Sequence, residues 1–220
     1  ALRDGEAARA TVRFDAAADG CAASAPLPTE PGRLRVRLPA QRDGLCAWID
    51  DASRRARLQS ALDQIASNGR VRDPAEVRRS AETVLGDATS DAFERTLARY
   101  LRGLARSTTG DATGAIDDLL AALDAELPGE LEPAARLQLG SHLAETGQHV
   151  AARAAFDAVR SNAASDRATR LAATLNLAIL LDDHLDDSRA ALDLYDAYLR
   201  DGGTRAEVEG WAARLREIYR

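Results

Sequence analysis

The chain has 220 residues, of which 45% are hydrophobic and only 4% are aromatic. This composition is typical of a helical globular protein and excludes disordered, collagen-like and disulfide-dense chains. The formal net charge is −6, from 29 basic and 35 acidic residues, which argues against a nucleic-acid partner. No apolar run approaches the roughly 18 residues that a membrane span requires, so we expect none in this segment.

A small β subdomain is predicted over residues 1–50. Residues 10–15 and 33–38 alternate apolar and polar side chains, and residues 44–49 form a third, more apolar run. Alternation with a period of two, bounded by turn residues, is typical of half-buried strands. Three short strands form only a marginal sheet, so this subdomain requires a covalent link or a helical neighbour.

Cys21 and Cys46 both lie in this predicted β subdomain. A disulfide between them would close a loop of roughly 25 residues and contribute on the order of 3 kcal/mol. The alternative is two free buried thiols in a cytosolic protein. Neither cysteine lies in a CxxC motif or beside a histidine, which argues against redox catalysis and zinc binding.

The cysteine pair and the absence of methionine favour an exported protein. Because the chain contains no Met, we expect Ala1 to begin a mature product, a trimmed chain or a fragment. Disulfides persist in oxidising compartments. The prediction is therefore an extracytoplasmic location, periplasmic or envelope-associated, in a bacterium.

Beyond residue 50 the apolar period changes to that of a helix. Leu58, Leu62 and Ile65 share one helical face, and residues 73–76 form a capping box with Pro at the first helical position. Gly86 ends the second of these helices. We therefore expect residues 51–88 to form a connecting helical hairpin.

A longer helix is predicted to open at Ser90, and an internal repeat begins within it. Residues 103 and 140, like residues 110 and 147, are separated by 37 positions, and a third copy places Ala178 38 positions after Gly140. Fixed periods of this size indicate stacked supersecondary units. The aligned residues are Gly103, Gly110, Ala115, Leu119 and Ala122; Gly140, Gly147, Ala152, Phe156 and Val159; and Leu177, Ala178, Leu181, Ala190, Leu194 and Ala197.

Each repeat position has a physical role. Glycine is unfavourable inside a helix, so Gly103 and Gly140 are expected where a second helix approaches closely. Ala115, Ala152 and Ala190 are expected where that second helix touches the first, and Leu119, Phe156 and Leu194 are expected to fill the space between adjacent helix pairs. Gly110 can adopt the positive φ of a turn between antiparallel helices, as can the equivalent glycine of the next copy.

This pattern resembles the tetratricopeptide repeat family over residues 96–204. The chain departs from the family pattern at two residues: Arg102 stands at a usually apolar position, and Leu185 stands in place of the turn glycine. The repeat period also exceeds the family's usual length of about 34 residues. The resemblance implies a mainly α fold, with an α-solenoid of about three helix-turn-helix repeats over residues 89–204. A plain antiparallel helical bundle is the alternative.

The last segment, residues 205–220, is predicted to be a capping helix. Residues 203–207 carry a second capping-box pattern, and an apolar stripe runs through Val208, Trp211, Leu215 and Ile218. The last unit of a solenoid would otherwise expose its apolar face, so an amphipathic terminal helix is expected there.

Catalytic motifs are not found in the sequence. The three histidines lie in no recognised catalytic pattern, and no phosphate-binding glycine loop occurs, so we expect neither an enzyme nor a cofactor. Residues 181–187 hold four aspartates and a histidine, which we interpret as a solvated acidic turn. The alternative is a divalent-cation site, with a metal-dependent hydrolase as its functional extension.

The resemblance also implies a concave groove lined by the first helix of each repeat. Its floor would be apolar and one end acidic, which suits an amphipathic helix or a peptide with basic residues at one end. The alternative is that neighbouring helices of the same chain fill it. The candidate partner-binding residues are Leu97, Tyr100, Leu104, Leu137, Ser141, Glu145, Leu175, Ile179, Asp182 and Asp183.

The sequence thus predicts a non-enzymatic protein–protein interaction scaffold. The alternative is a helical-repeat fragment of a larger protein whose catalytic or signalling domain, for example a protease or a regulator, lies outside this chain.

Overall fold

The computed structural model describes residues 58, 60–65 and 70–220, and these residues are mainly helical. The predicted β subdomain at residues 1–50, with Cys21 and Cys46, lies outside the described residues. The helices are α1 (Pro74–Gly86), α2 (Ala92–Thr109), α3 (Ala112–Asp124), α4 (Glu132–Glu145), α5 (His149–Ser161), α6 (Arg167–Asp183), α7 (Ser188–Arg200) and α8 (Glu207–Ile218).

The chain divides into two compact units, and the boundary lies between Ala135 and Arg136. In the first unit, α1 packs on α2 and α2 packs on α3. Leu58 and Leu62 are fully buried, and Ile65 makes an isolated antiparallel bridge with Val71 before α1 begins. The Asp73 side chain accepts a hydrogen bond from the Glu76 amide at 2.9 Å, which confirms the predicted start of α1 at Pro74.

The α2–α3 hairpin closes around Gly103 as predicted, but the side chains nearest to this glycine are Leu119 and Asp118 rather than the predicted Ala115. A β-carbon placed on Gly103 would lie 3.0 Å from Cγ of Leu119, so only glycine admits this leucine without adjustment. Asp118, beside it on α3, is buried and pairs with Arg102 and Arg106 of α2. Arg102 therefore makes an ion pair across the hairpin.

The second unit contains the hairpins α5–α6, α6–α7 and α7–α8 as packed neighbours. The same close approach recurs between α4 and α5, where a β-carbon on Gly140 would lie 2.6 Å from Cε1 of Phe156. Phe156, Ala178, Leu181 and Leu215 are buried in this core. Residues 89–204 thus consist of helical hairpins joined by short turns.

The third hairpin differs from the predicted register by one residue. Ala191, Tyr195 and Tyr198 are buried, whereas the predicted Ala190 and Leu194 are only half-buried. The other predicted position of this helix, Ala197, is also half-buried. The cause is a longer turn, residues 184–187, which carries one residue more than the turn at residues 146–148.

The turns also show which residue replaces the expected glycine. Gly110 and Gly147 have φ of 82° and 79°, as predicted, and Asp186 has φ of 53°. Aspartate is among the few non-glycine residues that tolerate the left-handed region, because its side chain bonds to nearby backbone. The substitute for the turn glycine is therefore Asp186, and Leu185 is not the equivalent position.

Two predicted helix starts were wrong. The cap of α2 is Asp91 rather than Ser90, since Asp91 and Glu94 form the reciprocal capping box at 2.8 and 2.9 Å. At α8 no side chain caps the first turn. The phenol of Tyr198 instead accepts a hydrogen bond from the Arg205 amide at 3.2 Å, so tertiary contact replaces the expected capping box.

Candidate functional site

The second unit contains two neighbouring pockets that share Ile179 of α6. One lies between α4 and α6 and the other between α6 and α8. The sequence of α6 explains why Ile179 is available to both pockets. Ala178 and Leu181 are buried in the core, whereas Ile179 lies on another face of the helix and is only half-buried. We call the two pockets together the α6 groove.

The first pocket has a volume of about 250 Å³ and an apolar floor formed by Phe156 and Leu180. Its rim is polar, since Asn176 Nδ2 donates a hydrogen bond to Ser141 Oγ at 3.3 Å. The Glu145 carboxylate lies 2.8 Å from Nδ1 of His142. The full lining is Ser141, Ala144, Glu145, Phe156, Asn176, Ile179, Leu180 and His184.

The second pocket, with a volume of about 140 Å³, combines aromatic and acidic walls. The rings of Tyr195 and Trp211 have centroids 5.7 Å apart and are tilted by 51°. Asp182 Oδ2 accepts a hydrogen bond from Arg214 Nη2 at 2.7 Å, and its Oδ1 accepts one from Ser188 at 3.0 Å. The lining is Ile179, Asp182, Asp183, Tyr195, Trp211 and Arg214.

The environment of Tyr195 keeps its phenol neutral. Burial raises the pKa of Tyr195 well above its ordinary value, and the nearby carboxylates of Asp182 and Asp183 raise it further. The pocket wall therefore presents a neutral aromatic ring next to negative charge at neutral pH.

Five of the ten predicted binding residues line the α6 groove: Ser141, Glu145, Ile179, Asp182 and Asp183. Leu137 is half-buried and lies outside both pockets. The other four, Leu97, Tyr100, Leu104 and Leu175, are core residues with exposed fractions of 0%, 2%, 0% and 8%. An amphipathic pattern identifies them as apolar positions but does not say whether a neighbouring helix covers them.

The sequence reasoning missed several groove residues. Asn176 lies one helical turn before Ile179, so the helical spacing of three residues was the available signal. The sequence pattern placed Trp211 in the apolar stripe of the capping helix and gave no signal that Arg214 belongs to the groove. They share the groove because α8 packs on α7. That contact brings a distant segment beside Asp182.

Each aspartate of the predicted acidic turn except Asp183 has a local role. Asp182 pairs with Arg214, Asp186 carries the positive φ of the turn, and Asp187 caps α7 by accepting from the Ala190 amide at 3.2 Å. His184 stacks on His149, with ring centroids 4.5 Å apart and planes 9° from parallel. Among the described residues, no three His, Cys, Asp or Glu side chains are grouped closely enough to hold a metal ion.

Comparisons with protein-family models, with curated proteins and with solved structures found no match for this chain. The resemblance to tetratricopeptide repeats therefore remains an expectation from the sequence pattern. Within the described part of the chain, none of the helices has both the length and the apolar character needed to cross a membrane.

Proposed function

We propose that this chain is a non-enzymatic interaction module that binds a peptide or helix of a partner protein in the α6 groove. The observation that carries the proposal is the pair of adjoining pockets that meet at Ile179. A segment of a partner would place one side chain in each pocket and run across α6. Anchoring by a few side chains in pockets is how most interfaces obtain their affinity.

The dimensions of the groove favour side chains over a cofactor. Sites for small molecules usually have volumes of about 300–1,000 Å³. The two pockets, at about 250 and 140 Å³, are each smaller than this and share Ile179 in their linings. The polar rim at Asn176 and Ser141 offers hydrogen-bonding groups to a backbone or side chain that crosses it.

The repeated hairpin contacts support a solenoid as the framework of this module. Gly103 meets Leu119 in one hairpin, and Gly140 meets Phe156 in the next. In repeat proteins, hairpins of one kind stack on their neighbours, and such stacks present extended concave surfaces. A tetratricopeptide-like superhelix that works outside the cytoplasm of a bacterium is the architecture and setting that we propose.

Peptide selection with a matched pair of variants tests this function. Random peptides displayed on phage are selected on the wild-type protein, and the affinities of the resulting peptides are measured for Ile179→Asp and Val150→Asp. Ile179 is shared by both pockets, whereas Val150 is an aliphatic residue on α5 that is 78% exposed and lies outside both pockets.

The expected result is a loss of at least about tenfold in affinity for Ile179→Asp, with Val150→Asp close to wild type. Circular dichroism must show that both variants keep their helical content. Selection of no peptide, or of peptides that bind wild type and Ile179→Asp equally, contradicts the proposal.

A further inference from the structure

We infer that the second pocket of the α6 groove receives the guanidinium group of an arginine in the peptide partner. The inference rests on the proposed function, because it names the chemistry that one part of the groove recognises. Tyr195 and Trp211 form an aromatic corner, and Asp182 and Asp183 face the same volume of about 140 Å³. Aromatic faces and carboxylates are the two kinds of group that attract organic cations.

Two arginines of the chain itself already contact an acidic and an aromatic residue of this pocket. Arg214 donates from Nη2 to Asp182 Oδ2 at 2.7 Å. The guanidinium carbon of Arg205 lies 5.0 Å from the centroid of the Trp211 ring. The carboxylate and the indole therefore each already bind a guanidinium in this structure, which favours arginine over lysine as the incoming residue.

The Arg214 side chain can be displaced at little cost. It is 58% exposed, so its ion pair with Asp182 is screened by water and stabilises the fold only weakly. Asp182 itself has only 7% of its side chain exposed, so its carboxylate needs hydrogen-bond donors in place of water, which Ser188 and a guanidinium supply. An arginine from the partner meets that requirement, because it replaces one guanidinium with another.

The local charge favours this exchange. Asp183 is exposed, and among the described residues no cationic side chain is found within ion-pairing distance of it. Asp182 and Asp183 together with Arg214 leave one uncompensated negative charge in the lining of the pocket. A partner arginine would therefore add a favourable interaction with Asp183 to the one that it takes over at Asp182.

The test uses a small probe on the full chain. N-acetyl-arginine methylamide is titrated while NMR follows the Trp211 indole N–H and the Ile179 methyl signals. The citrulline analogue, which has the same shape without the charge, is the control probe. We expect a millimolar dissociation constant for the arginine compound and binding at least about fivefold weaker for citrulline. Equal shifts with both compounds, or none with either, would overturn the inference.

Two variants give opposite expected results. Arg214→Ala removes the internal competitor at Asp182, so the arginine compound should bind about threefold more tightly. Asp183→Asn removes a carboxylate from the pocket, so the same compound should bind about threefold more weakly or worse. Asp193→Asn on α7 makes the same change of charge at an exposed position outside both pockets and should leave the affinity unchanged. Tighter binding by Arg214→Ala supports the exchange, because loss of structure cannot tighten binding. Unchanged or weaker binding by an Arg214→Ala protein that keeps its helical content by circular dichroism contradicts the exchange.

Failure of this inference is distinguishable from failure of the proposed function. If selected peptides need Ile179 for binding but the Trp211 signal does not respond to the arginine compound, the cation site is contradicted and the peptide-binding groove remains supported. A response of Trp211 that depends on Asp183, without any peptide that depends on Ile179, would support the cation site and contradict the peptide groove.

Discussion

Phe156 lies so close to Gly140 that a β-carbon at residue 140 would be 2.6 Å from its Cε1 atom. This ring is 1% exposed and forms part of the floor of the first pocket, so a β-carbon at residue 140 would force the ring to move away from α4. We therefore expect Gly140→Ala to lower the free energy of unfolding by about 1–3 kcal/mol, although alanine is the better helix former. Urea denaturation followed by circular dichroism measures the change.

Gly210 provides the matched control for this substitution. It lies inside α8 and is exposed, and no atom lies within 4 Å of a β-carbon placed on it. Gly210→Ala should therefore raise the free energy of unfolding by about 0.5–1 kcal/mol through helix propensity alone. The same sign for both substitutions would contradict the close approach of α4 and α5.

The ion pairs of Asp118 predict a second effect on stability. Its carboxylate accepts from Arg102 at 2.8 and 2.6 Å and from Arg106 at 2.8 Å, and only 5% of the side chain is exposed. Hydrogen bonding to Asp118 raises the pKa of Arg102, which therefore stays charged. Asp118→Asn should lower the free energy of unfolding by about 2–3 kcal/mol.

Asp117, the exposed neighbour of Asp118, serves as the control. Asp117→Asn removes the same charge from α3 without touching the hairpin interface, so it should change the free energy of unfolding by less than about 0.5 kcal/mol. Equal effects of the two substitutions in urea denaturation would show that net charge, rather than the ion pairs, determines stability.

The turns of the second unit make a third prediction. Asp186 and Gly147 both have positive φ, which costs energy for any residue with a β-carbon. Asp186→Gly should leave stability unchanged or raise it by up to about 1 kcal/mol, whereas Gly147→Ala should lower it by about 1 kcal/mol. Thermal unfolding of both variants checks this, and a destabilising Asp186→Gly would refute the assignment of Asp186 as the turn residue.

Alkaline pH should destabilise the fold through two buried phenols. Burial raises the pKa of both Tyr100 and Tyr195 above the ordinary value of 10.0. A group whose pKa is raised by folding contributes stability below its unfolded pKa and loses it as pH rises through the folded pKa. Each phenol should therefore lower the free energy of unfolding by up to about 1.4 kcal/mol per pH unit above pH 10.

Denaturation at pH 9 and pH 11 measures this loss. Tyr100→Phe and Tyr195→Phe should each reduce the difference between the two pH values, and Tyr219→Phe, whose ring is 42% exposed, should not. A pH dependence that is unaffected by the two buried substitutions would contradict their neutral, buried state.

The helices and the glycine contacts were predictable from sequence because local signals determine them. A capping aspartate and a proline locate the start of α1, and glycines inside helices at residues 103 and 140 indicate close packing that the structure confirms. The third turn was less predictable. Its left-handed residue is an aspartate, which carries a much weaker signal than glycine, and the register of α7 was therefore one residue wrong.

The groove was only half predictable, for a physical reason. Ile179 and Ser141 could be placed on exposed helical faces, but the burial of Tyr100 and Leu104 depends on neighbouring segments that local periodicity does not specify. Trp211 lies beside Asp182 only because α8 packs on α7. Contacts between residues so far apart in the chain follow from tertiary packing and not from local spacing.

Methyl NMR of Ile179 with a bound peptide tests the central proposal most directly. The chain has only five isoleucines, so their methyl signals can be assigned by single substitutions. Saturation with a peptide selected on the wild-type protein should shift the Ile179 signal strongly and leave that of Ile116, on α3 in the first unit, unchanged. A peptide that binds without shifting the Ile179 signal would show that recognition occurs elsewhere and that the α6 groove is not the binding site.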